Sequence, residues 1–179
     1  MIQLRAKGSS LEEIGRIGRA IFPITERAGA GLVINDHLLV AQELGADFCH
    51  LGQEDFFESG FHHVSQLARG IHHVRIGLST HAPEQARRAV AAGADYVAIG
   101  PIYATNTKPG ARPVTLDYVR WAATNVTIPW FAIGGINPEN LEQVISAGAR
   151  RICVVSAILK SDDITRTCRS FKERMLRAT

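Results

Sequence analysis

The sequence lacks the long apolar runs and the cysteine patterns that mark several classes of protein. No apolar run in its 179 residues approaches the ~20 residues of a membrane span, and residues 1–7 do not have the layout of a signal peptide. Cys49, Cys153 and Cys168 are far apart and have no metal-ligand spacing, so we expect reduced, mostly buried thiols. We therefore expect a cytoplasmic protein without a membrane segment.

The sequence also has little excess charge of either sign. Its formal net charge is +3, and the basic residues are spread out except for a C-terminal group made of Arg166, Arg169, Lys172, Arg174 and Arg177. This group suits the negative end of a last helix, and it does not indicate nucleic-acid binding. The pairs His62-His63 and His72-His73 have no third ligand nearby, so we interpret them as surface histidines.

What the sequence does contain is a regular alternation of apolar runs and helical patterns. With 46% hydrophobic and 21% charged residues, we expect one globular domain over residues 1–179. Helices are predicted from a capping box at Ser10–Glu13, from Pro83 and from Asn137-Pro138. The predicted strands cover residues 2–5, 31–35, 48–52, 74–79, 96–102, 130–135 and 151–158.

An internal repeat supports this alternation. Residues 41–52, 89–100 and 144–155 resemble one another, and in each copy a helix ends on alanine and glycine before a buried strand. Repeated strand and helix units predict a parallel sheet, either doubly wound or closed as a β/α barrel. Polar residues follow nearly every predicted strand, which favours a TIM-type (β/α) barrel with about seven of its eight units.

The first group of polar residues is basic. Gln3, Arg5 and Lys7 alternate, so in a strand they project to one face. Two cations and an amide on an inner face are costly to bury unpaired, so a phosphate or diphosphate is a natural partner. A polar edge strand is the alternative.

The second group is acidic. Asp36 follows Asn35 at the end of one strand, and Asp55 follows the next strand in Gly52-Gln-Glu-Asp. Two carboxylates at neighbouring strand ends match the ligands of Mg²⁺, which also takes water and substrate phosphate oxygens. Helix N-caps are the alternative for both aspartates.

Further groups follow the later strands. Thr105, Thr107 and Lys108 can donate hydrogen bonds to an anion, and they lie in an open loop bounded by proline and glycine. Gly134-Gly135 and Val155-Ser156 follow the last two strands, where barrel enzymes often bind phosphate, and a tight turn is the less favoured alternative for the glycines. His81 is either a general base or a residue that holds a loop, and we favour the second.

Together these motifs resemble thiamin phosphate synthase, in order and over nearly the whole chain. The matching stretches are Gln3–Lys7, Asn35-Asp36, Gly52–Asp55, Gly77–His81, Gly100–Lys108 and Ile133–Ile136. The resemblance implies a barrel enzyme that joins 4-amino-2-methyl-5-hydroxymethylpyrimidine diphosphate to a thiazole phosphate and releases diphosphate. It also implies that the family has one more strand and helix before Gln3.

The resemblance further implies a role for each matching residue. Asp36 and Asp55 would bind Mg²⁺. The residues that would hold the pyrimidine diphosphate are Gln3, Arg5, Lys7, Asn35, Ser79 and Lys108. Those that would hold the thiazole phosphate are Thr105, Asn106, Thr107, Gly135, Val155 and Ser156. Arg5, Lys7, Lys108 and Ser79 would be the catalytic group.

Three further expectations complete this interpretation. In the family the pyrimidine leaves as a stabilised carbocation that the thiazole nitrogen captures, so no protein nucleophile is required. The partners are small molecules, with a homo-oligomer as a further possibility and no nucleic acid or membrane. The alternative functions are a thiazole tautomerase that uses His81 and a non-catalytic barrel remnant that binds phosphate ligands.

Overall fold

The computed structural model describes residues 1–67, 74–105, 110 and 112–177 of the chain. Its contacts group into two compact units. The first unit comprises Met1–Ser79 with Ala91–Asp95, and the second comprises Thr80–Val90 with Tyr96–Thr179. The single domain expected over residues 1–179 stays a prediction.

The first unit is built from parallel strands that pair in chain order. Strand β1 pairs with β2, β2 with β3, and β3 with β4, and all three ladders are parallel. Its elements are β1 (Ile2–Leu4), α1 (Leu11–Arg27), β2 (Leu32–Asn35), α2 (Leu38–Leu44), β3 (Phe48–Gly52), α3 (Gln53–Glu58), a 3₁₀ turn (Val64–Gln66) and β4 (Arg75–Thr80), whose last residue belongs to the second unit.

The second unit continues the same alternation. Strand β5 pairs in parallel with β6, and β6 pairs in parallel with β7. Its elements are α4 (Pro83–Ala91), β5 (Tyr96–Ile99), α5 (Thr115–Asn125), β6 (Trp130–Ile133), α6 (Leu141–Ser146), β7 (Ile152–Cys153), α7 (Ser156–Leu159) and α8 (Ile164–Arg177). The described residues thus contain seven parallel strands that alternate with helices, which confirms the TIM-type (β/α) class predicted from the sequence.

The strands form where the sequence is continuously apolar. All four residues of β2 and all four of β5 are buried, as expected for strands covered on both faces. Helix α1 begins as predicted, because the Ser10 side chain accepts a hydrogen bond from the Glu13 amide at 3.2 Å. The Glu13 carboxylate bonds Arg16 at 2.8 Å.

In two copies of the repeat, an aspartate just before the strand stabilises the sheet. Asp47 lies just before β3 and accepts a hydrogen bond from the amide of Leu32, the first residue of β2, at 2.9 Å. Asp95 lies just before β5 and accepts one from the amide of Ile76 in β4 at 2.7 Å. Each carboxylate therefore satisfies a backbone donor at the start of the preceding strand. The third copy has Arg150 at this position.

Several element boundaries differ from the prediction. Strand β7 includes only Ile152 and Cys153, and the apolar residues after it form helix α7. Helix α6 begins at Leu141 rather than directly after Pro138, because Asn137 accepts hydrogen bonds from the amides of Glu139 and Asn140 and forms a turn there. On α1, Leu11 is 57% exposed, whereas Ile14, one turn farther on, is buried.

The cysteines differ partly from the prediction. All three are free thiols, but only Cys49 is buried, while Cys153 is half-buried and Cys168 is exposed on α8. Burial, with a smaller contribution from the Asp36 carboxylate, raises the pKa of Cys49 to about 12. Across the part of the chain that the structure describes, no helix combines the length and the apolarity needed to cross a membrane.

The Asp95 carboxylate provides a test of the repeat. We expect Asp95→Ala to lower the free energy of unfolding by about 1–2 kcal/mol, because it leaves the Ile76 amide without its acceptor. Asp95→Asn keeps an acceptor oxygen and should retain most of the stability. Urea unfolding measures the free energy of unfolding of both variants. Equal losses of this free energy would show that the charge of Asp95, rather than its hydrogen bond, stabilises the fold.

Candidate functional site

The basic residues lie at and beyond the end of β1. Gln3 pairs in register with Val33, whereas Arg5 and Lys7 follow the strand, and Lys7 lies in a turn. All three residues are exposed. Of the three residues predicted to alternate on one strand face, only Gln3 lies in β1. The two cations are not buried, as they would be on an inner face. Exposed cations remain available to an anion without a desolvation cost in the free protein.

Asn35 and Asp36 end β2 in a defined geometry. Asn35 is 9% exposed, and Asp36 has a φ of 66°, in the left-handed region that aspartate tolerates better than most residues. The Asp36 amide donates to the His50 carbonyl at 2.9 Å, which fixes this turn against β3. The N-cap of α2 is His37, so the alternative that Asp36 caps this helix is wrong.

Asp55 lies in the first turn of α3, the helix that follows β3. The N-cap of α3 is Gly52, and Asp55 is in the first helical turn, so the N-cap alternative is wrong for this aspartate too. Its carboxylate folds back over Gly52, where an added Cβ would lie only 2.5 Å from Asp55 Oδ2. Gly52 therefore leaves the space in which this carboxylate sits.

The two aspartates fit the chemistry of a magnesium site. Both are exposed carboxylates at the carboxyl ends of adjacent strands, and hard oxygen ligands are the donors that Mg²⁺ prefers. In the described ranges, no group of three or more His, Cys, Asp and Glu side chains has the arrangement of a metal cage. A pair of carboxylates completed by water and substrate oxygens is the usual magnesium arrangement.

Ser79 and His50 lie on the strands beside these carboxylates. Ser79 is the register partner of Gly52, and its hydroxyl donates to the Leu51 carbonyl at a long 3.4 Å. His50 is the register partner of Asn35 and is 9% exposed. Burial lowers the pKa of His50 to about 4, so its ring is neutral near pH 7. His50 was not among the residues predicted from the sequence, although it interrupts the otherwise apolar strand 48–52.

In the second unit, the segment after β5 packs on the glycines after β6. The Ile102 amide donates to the Ile133 carbonyl at 2.9 Å, and the Tyr103 amide donates to the Gly134 carbonyl at 3.1 Å. A Cβ on Gly135, whose φ is 65°, would lie 2.7 Å from the Ala104 carbonyl oxygen. The glycines therefore permit a close approach of two backbone segments.

Gly135, Val155 and Ser156 follow two paired strands. Ile133 pairs with Cys153, and Gly135 and Val155 each lie two residues farther on, so both follow the same edge of the β6–β7 ladder. Val155 is 39% exposed, and Ser156 is exposed at the start of α7. Thr105 is the last described residue before a gap, and the predicted residues Asn106, Thr107 and Lys108 lie outside the described residues.

His81 has a holding role, in agreement with the favoured interpretation. Its ring Nδ1 is hydrogen bonded to the Gly100 carbonyl oxygen, and its amide donates to Gln85 Oε1 at 2.6 Å. It also borders a cavity of about 630 Å³ in the second unit, together with Pro101, Tyr118 and Trp121. Among the described residues predicted to bind substrate or metal, none lines this cavity.

The structure thus assembles two sets of predicted residues, one in each unit. In the first unit, Asn35, Asp36, Asp55 and Ser79 all lie at the carboxyl ends of neighbouring parallel strands, as predicted. In the second unit, Thr105, Gly135, Val155 and Ser156 lie beyond the carboxyl ends of β5, β6 and β7. The role of each residue in binding stays a prediction.

Comparison with known proteins agrees with the resemblance. A family described as thiamine monophosphate synthase matches residues 1–158. A thiamine-phosphate synthase of Thermus thermophilus is 44% identical over 176 residues, which cover 98% of this chain and 82% of that protein. The thiamine-phosphate synthase of Gloeobacter violaceus is 45% identical over 179 residues, covering 99% of this chain and 50% of that protein.

A solved structure gives the same result. The thiamine phosphate pyrophosphorylase from Pyrococcus furiosus superposes with a TM-score of 0.87 at 30% sequence identity. The match covers 99% of this chain and 83% of that one. Similarity at this level extends over both units.

Gly135 can be tested against a matched glycine. Gly29 has a φ of 61° and open space around it, whereas Gly135 has a φ of 65° and the Ala104 carbonyl against it. We expect Gly29→Ala to cost about 1 kcal/mol of unfolding free energy from backbone strain, and Gly135→Ala to cost about 1–3 kcal/mol more from the clash. Equal losses on urea unfolding would show that residues 103–104 do not constrain Gly135.

Proposed function

The chain belongs to the thiamine monophosphate synthase family, and we propose that it is a transferase that joins the pyrimidine diphosphate to the thiazole phosphate. The products are thiamin phosphate and diphosphate. The observation that carries this proposal is the set of polar side chains at the carboxyl ends of β2, β3 and β4. These side chains match the family motifs, and they have the chemistry that a diphosphate requires.

The diphosphate would be bound by the basic residues of the first unit. Arg5 and Lys7 are exposed near the end of β1, where an anion can reach them, and Arg can hold phosphate oxygens in a bidentate manner. Lys108 would be a third cation by resemblance. Gln3, Asn35 and Ser79 supply neutral donors, which can orient the substrate without adding charge.

Asp36 and Asp55 would hold a Mg²⁺ ion together with the diphosphate. When bound, Mg²⁺ neutralises charge on the phosphate oxygens and so makes diphosphate a better leaving group. The protein contributes the fixed position of the two carboxylates, through the turn at Asp36 and the space above Gly52.

The thiazole phosphate would be bound by the residues that follow β5, β6 and β7. Thr105, Asn106 and Thr107 offer side-chain donors, and Gly135, Val155 and Ser156 offer backbone amides and a hydroxyl. The nitrogen of this substrate is the nucleophile of the proposed reaction.

The protein residues would act by positioning and by charge. As the C–O bond to diphosphate breaks, negative charge grows on the leaving group, and Arg5, Lys7 and Lys108 stabilise it. The resulting pyrimidine cation is captured by the thiazole nitrogen, which forms the new C–N bond. No protein nucleophile is required, and orientation of two bound substrates provides much of the rate. A homo-oligomeric state and a cytoplasmic location stay predictions.

The first test is an assay of the purified chain with both substrates and Mg²⁺, following thiamin phosphate and diphosphate. We expect product from the unmodified chain, and a loss of about 100-fold or more in kcat/KM for Asp55→Ala and for Lys108→Ala, because each removes a charge that the leaving group needs. Chelation of Mg²⁺ should have a similar effect.

Asp162→Ala and Lys160→Ala are the matched controls, since they remove one acidic and one basic side chain that are exposed outside the proposed site. Both should retain activity within about twofold. If the unmodified chain forms no product, or if the control variants lose as much as the site variants, the proposed function is wrong.

Gly52 provides a separate test of the metal ligands. Gly52→Ala should displace the Asp55 carboxylate with little strain, because Gly52 has a φ of −64° that alanine also adopts. We expect the Mg²⁺ concentration for half-maximal activity to rise several-fold, with the unfolding midpoint nearly unchanged. In the double variant with Asp55→Ala, Gly52→Ala should have no further effect on activity, and an additive effect would argue against a shared mechanism.

A further inference from the structure

We propose that Asn140 is a positioning residue for the thiazole phosphate, because its side chain holds the turn at Gly135 in the conformation that offers backbone amides to the phosphate. The inference rests on the proposed function, since it concerns the site of the same substrate. Asn140 lies outside the strand-end residues and the family motifs that were predicted from the sequence.

The Asn140 side chain connects two backbone groups of the turn that follows β6. Its Nδ2 donates a hydrogen bond to the Gly135 carbonyl oxygen at 2.9 Å, and its Oδ1 accepts one from the Asn137 amide at 2.9 Å. The side-chain amide therefore uses both its donor group and its acceptor within the turn, and Asn140 is half-buried there. A single side chain thus links the glycine to the start of α6.

Helix capping does not account for this side chain. Asn140 is the N-cap residue of α6, and an asparagine at an N-cap usually accepts a hydrogen bond from an amide of the first helical turn. The Asn140 side chain makes no such bond. It extends back to Gly135 instead, so it stabilises the turn before the helix rather than the first turn of the helix.

Gly135 is a residue whose conformation has to be held by its surroundings. It has a φ of 65° and follows another glycine, and glycine has the widest backbone freedom of all residues. The peptide before Gly135 is held because the Gly134 carbonyl accepts a hydrogen bond from the Tyr103 amide at 3.1 Å. The peptide after Gly135 is held by Asn140. Gly135 is therefore fixed on both sides, and the bond from Asn140 can be removed by a side-chain substitution.

These two bonds also set the directions of the amides of the turn. The N–H and C=O of a planar trans peptide point in opposite directions, so the amides of Gly135 and Ile136 point away from the groups that hold the two carbonyls. Within the described ranges, neither amide donates to a backbone carbonyl. Backbone amides of this kind bind anions, and a turn that is already ordered in the free protein loses less entropy when a phosphate binds.

The test compares Asn140→Ala, which removes the side-chain amide, with Asn140→Ser, which keeps a short polar side chain suited to an N-cap. In Asn140→Ala we expect the KM for the thiazole phosphate to rise about five- to tenfold, as for the loss of about one hydrogen bond. The KM for the pyrimidine diphosphate should stay within about twofold. Asn140→Ser should raise the same KM several-fold with a smaller loss of Tm. Calorimetric Kd values for the thiazole phosphate alone should follow the same order.

Asn137→Ala is the matched variant for the stability of the turn. The Asn137 side chain accepts hydrogen bonds from the amides of Glu139 and Asn140 at 3.0 Å each, and its removal leaves the bond from Asn140 to Gly135 in place. We expect Asn137→Ala to lower the Tm about as much as Asn140→Ala, with both KM values within about twofold of wild type. A loss of stability alone would therefore not reproduce the effect of Asn140→Ala.

Asn125→Ala is the control outside the site, because the Asn125 Nδ2 also donates to a backbone carbonyl, that of Trp121 in α5, at 2.8 Å. It should change neither KM. The proposal is overturned if folded Asn140→Ala binds the thiazole phosphate with a Kd within twofold of wild type, if both of its KM values rise equally, or if Asn137→Ala raises the KM for the thiazole phosphate as much. If Asn140→Ala does not fold, Asn140→Ser decides by the same criteria.

The outcomes for the function and for Asn140 can be told apart. If the unmodified chain binds the thiazole phosphate but forms no product, the proposed function fails, while the Kd series still reports on Asn140. If the unmodified chain forms product and the Asn140 variants bind normally, only the inference about Asn140 fails. If the unmodified chain does not bind the thiazole phosphate, both fail.

Discussion

The structure depends on parallel strand pairing in chain order within each unit. Parallel pairing directs all carboxyl ends of a ladder to one edge, so residues distant in sequence, such as Asn35, Asp55 and Ser79, lie at the carboxyl ends of neighbouring strands. At the amino ends of the strands, backbone amides need hydrogen-bond acceptors. Asp47 and Asp95, the aspartates of the repeat, supply them for Leu32 and Ile76. Stability is thus provided at one end of the strands and chemistry at the other, as in other β/α enzymes.

The sequence was sufficient to predict the alternation of strands and helices, because both kinds of element have local patterns. Buried strands such as Tyr96–Ile99 are apolar throughout, and the Ser10 cap occurs three residues before Glu13. The extent of a strand was less predictable, because it depends on the partner. Strand β7 has the apolar residues for a longer strand, but it pairs with β6 only at Ile152 and Cys153. Local propensity cannot show where the pairing with a neighbouring strand ends.

The glycines after β6 show a second limit of sequence reasoning. Gly134-Gly135 is compatible with a phosphate site and with a tight turn, because either needs a backbone without a side chain. The structure adds a third reason, since Pro101 and Ala104 contact the space that a Cβ would occupy at Gly134 and Gly135. The same two glycines therefore position the segment that leads to Thr105, and packing and binding are not alternatives at this point of the chain.

Burial separates the polar residues of the first unit into two kinds. Arg5, Asp36 and Asp55 are exposed, so they keep their hydration in the free protein and lose it only when a ligand replaces it. Asn35 is buried, so its hydration is already lost on folding and a ligand that bonds it has less water to displace. In the proposed function, charge would attract the diphosphate from solution, while a buried neutral group such as Asn35 would help to discriminate among the rings attached to it.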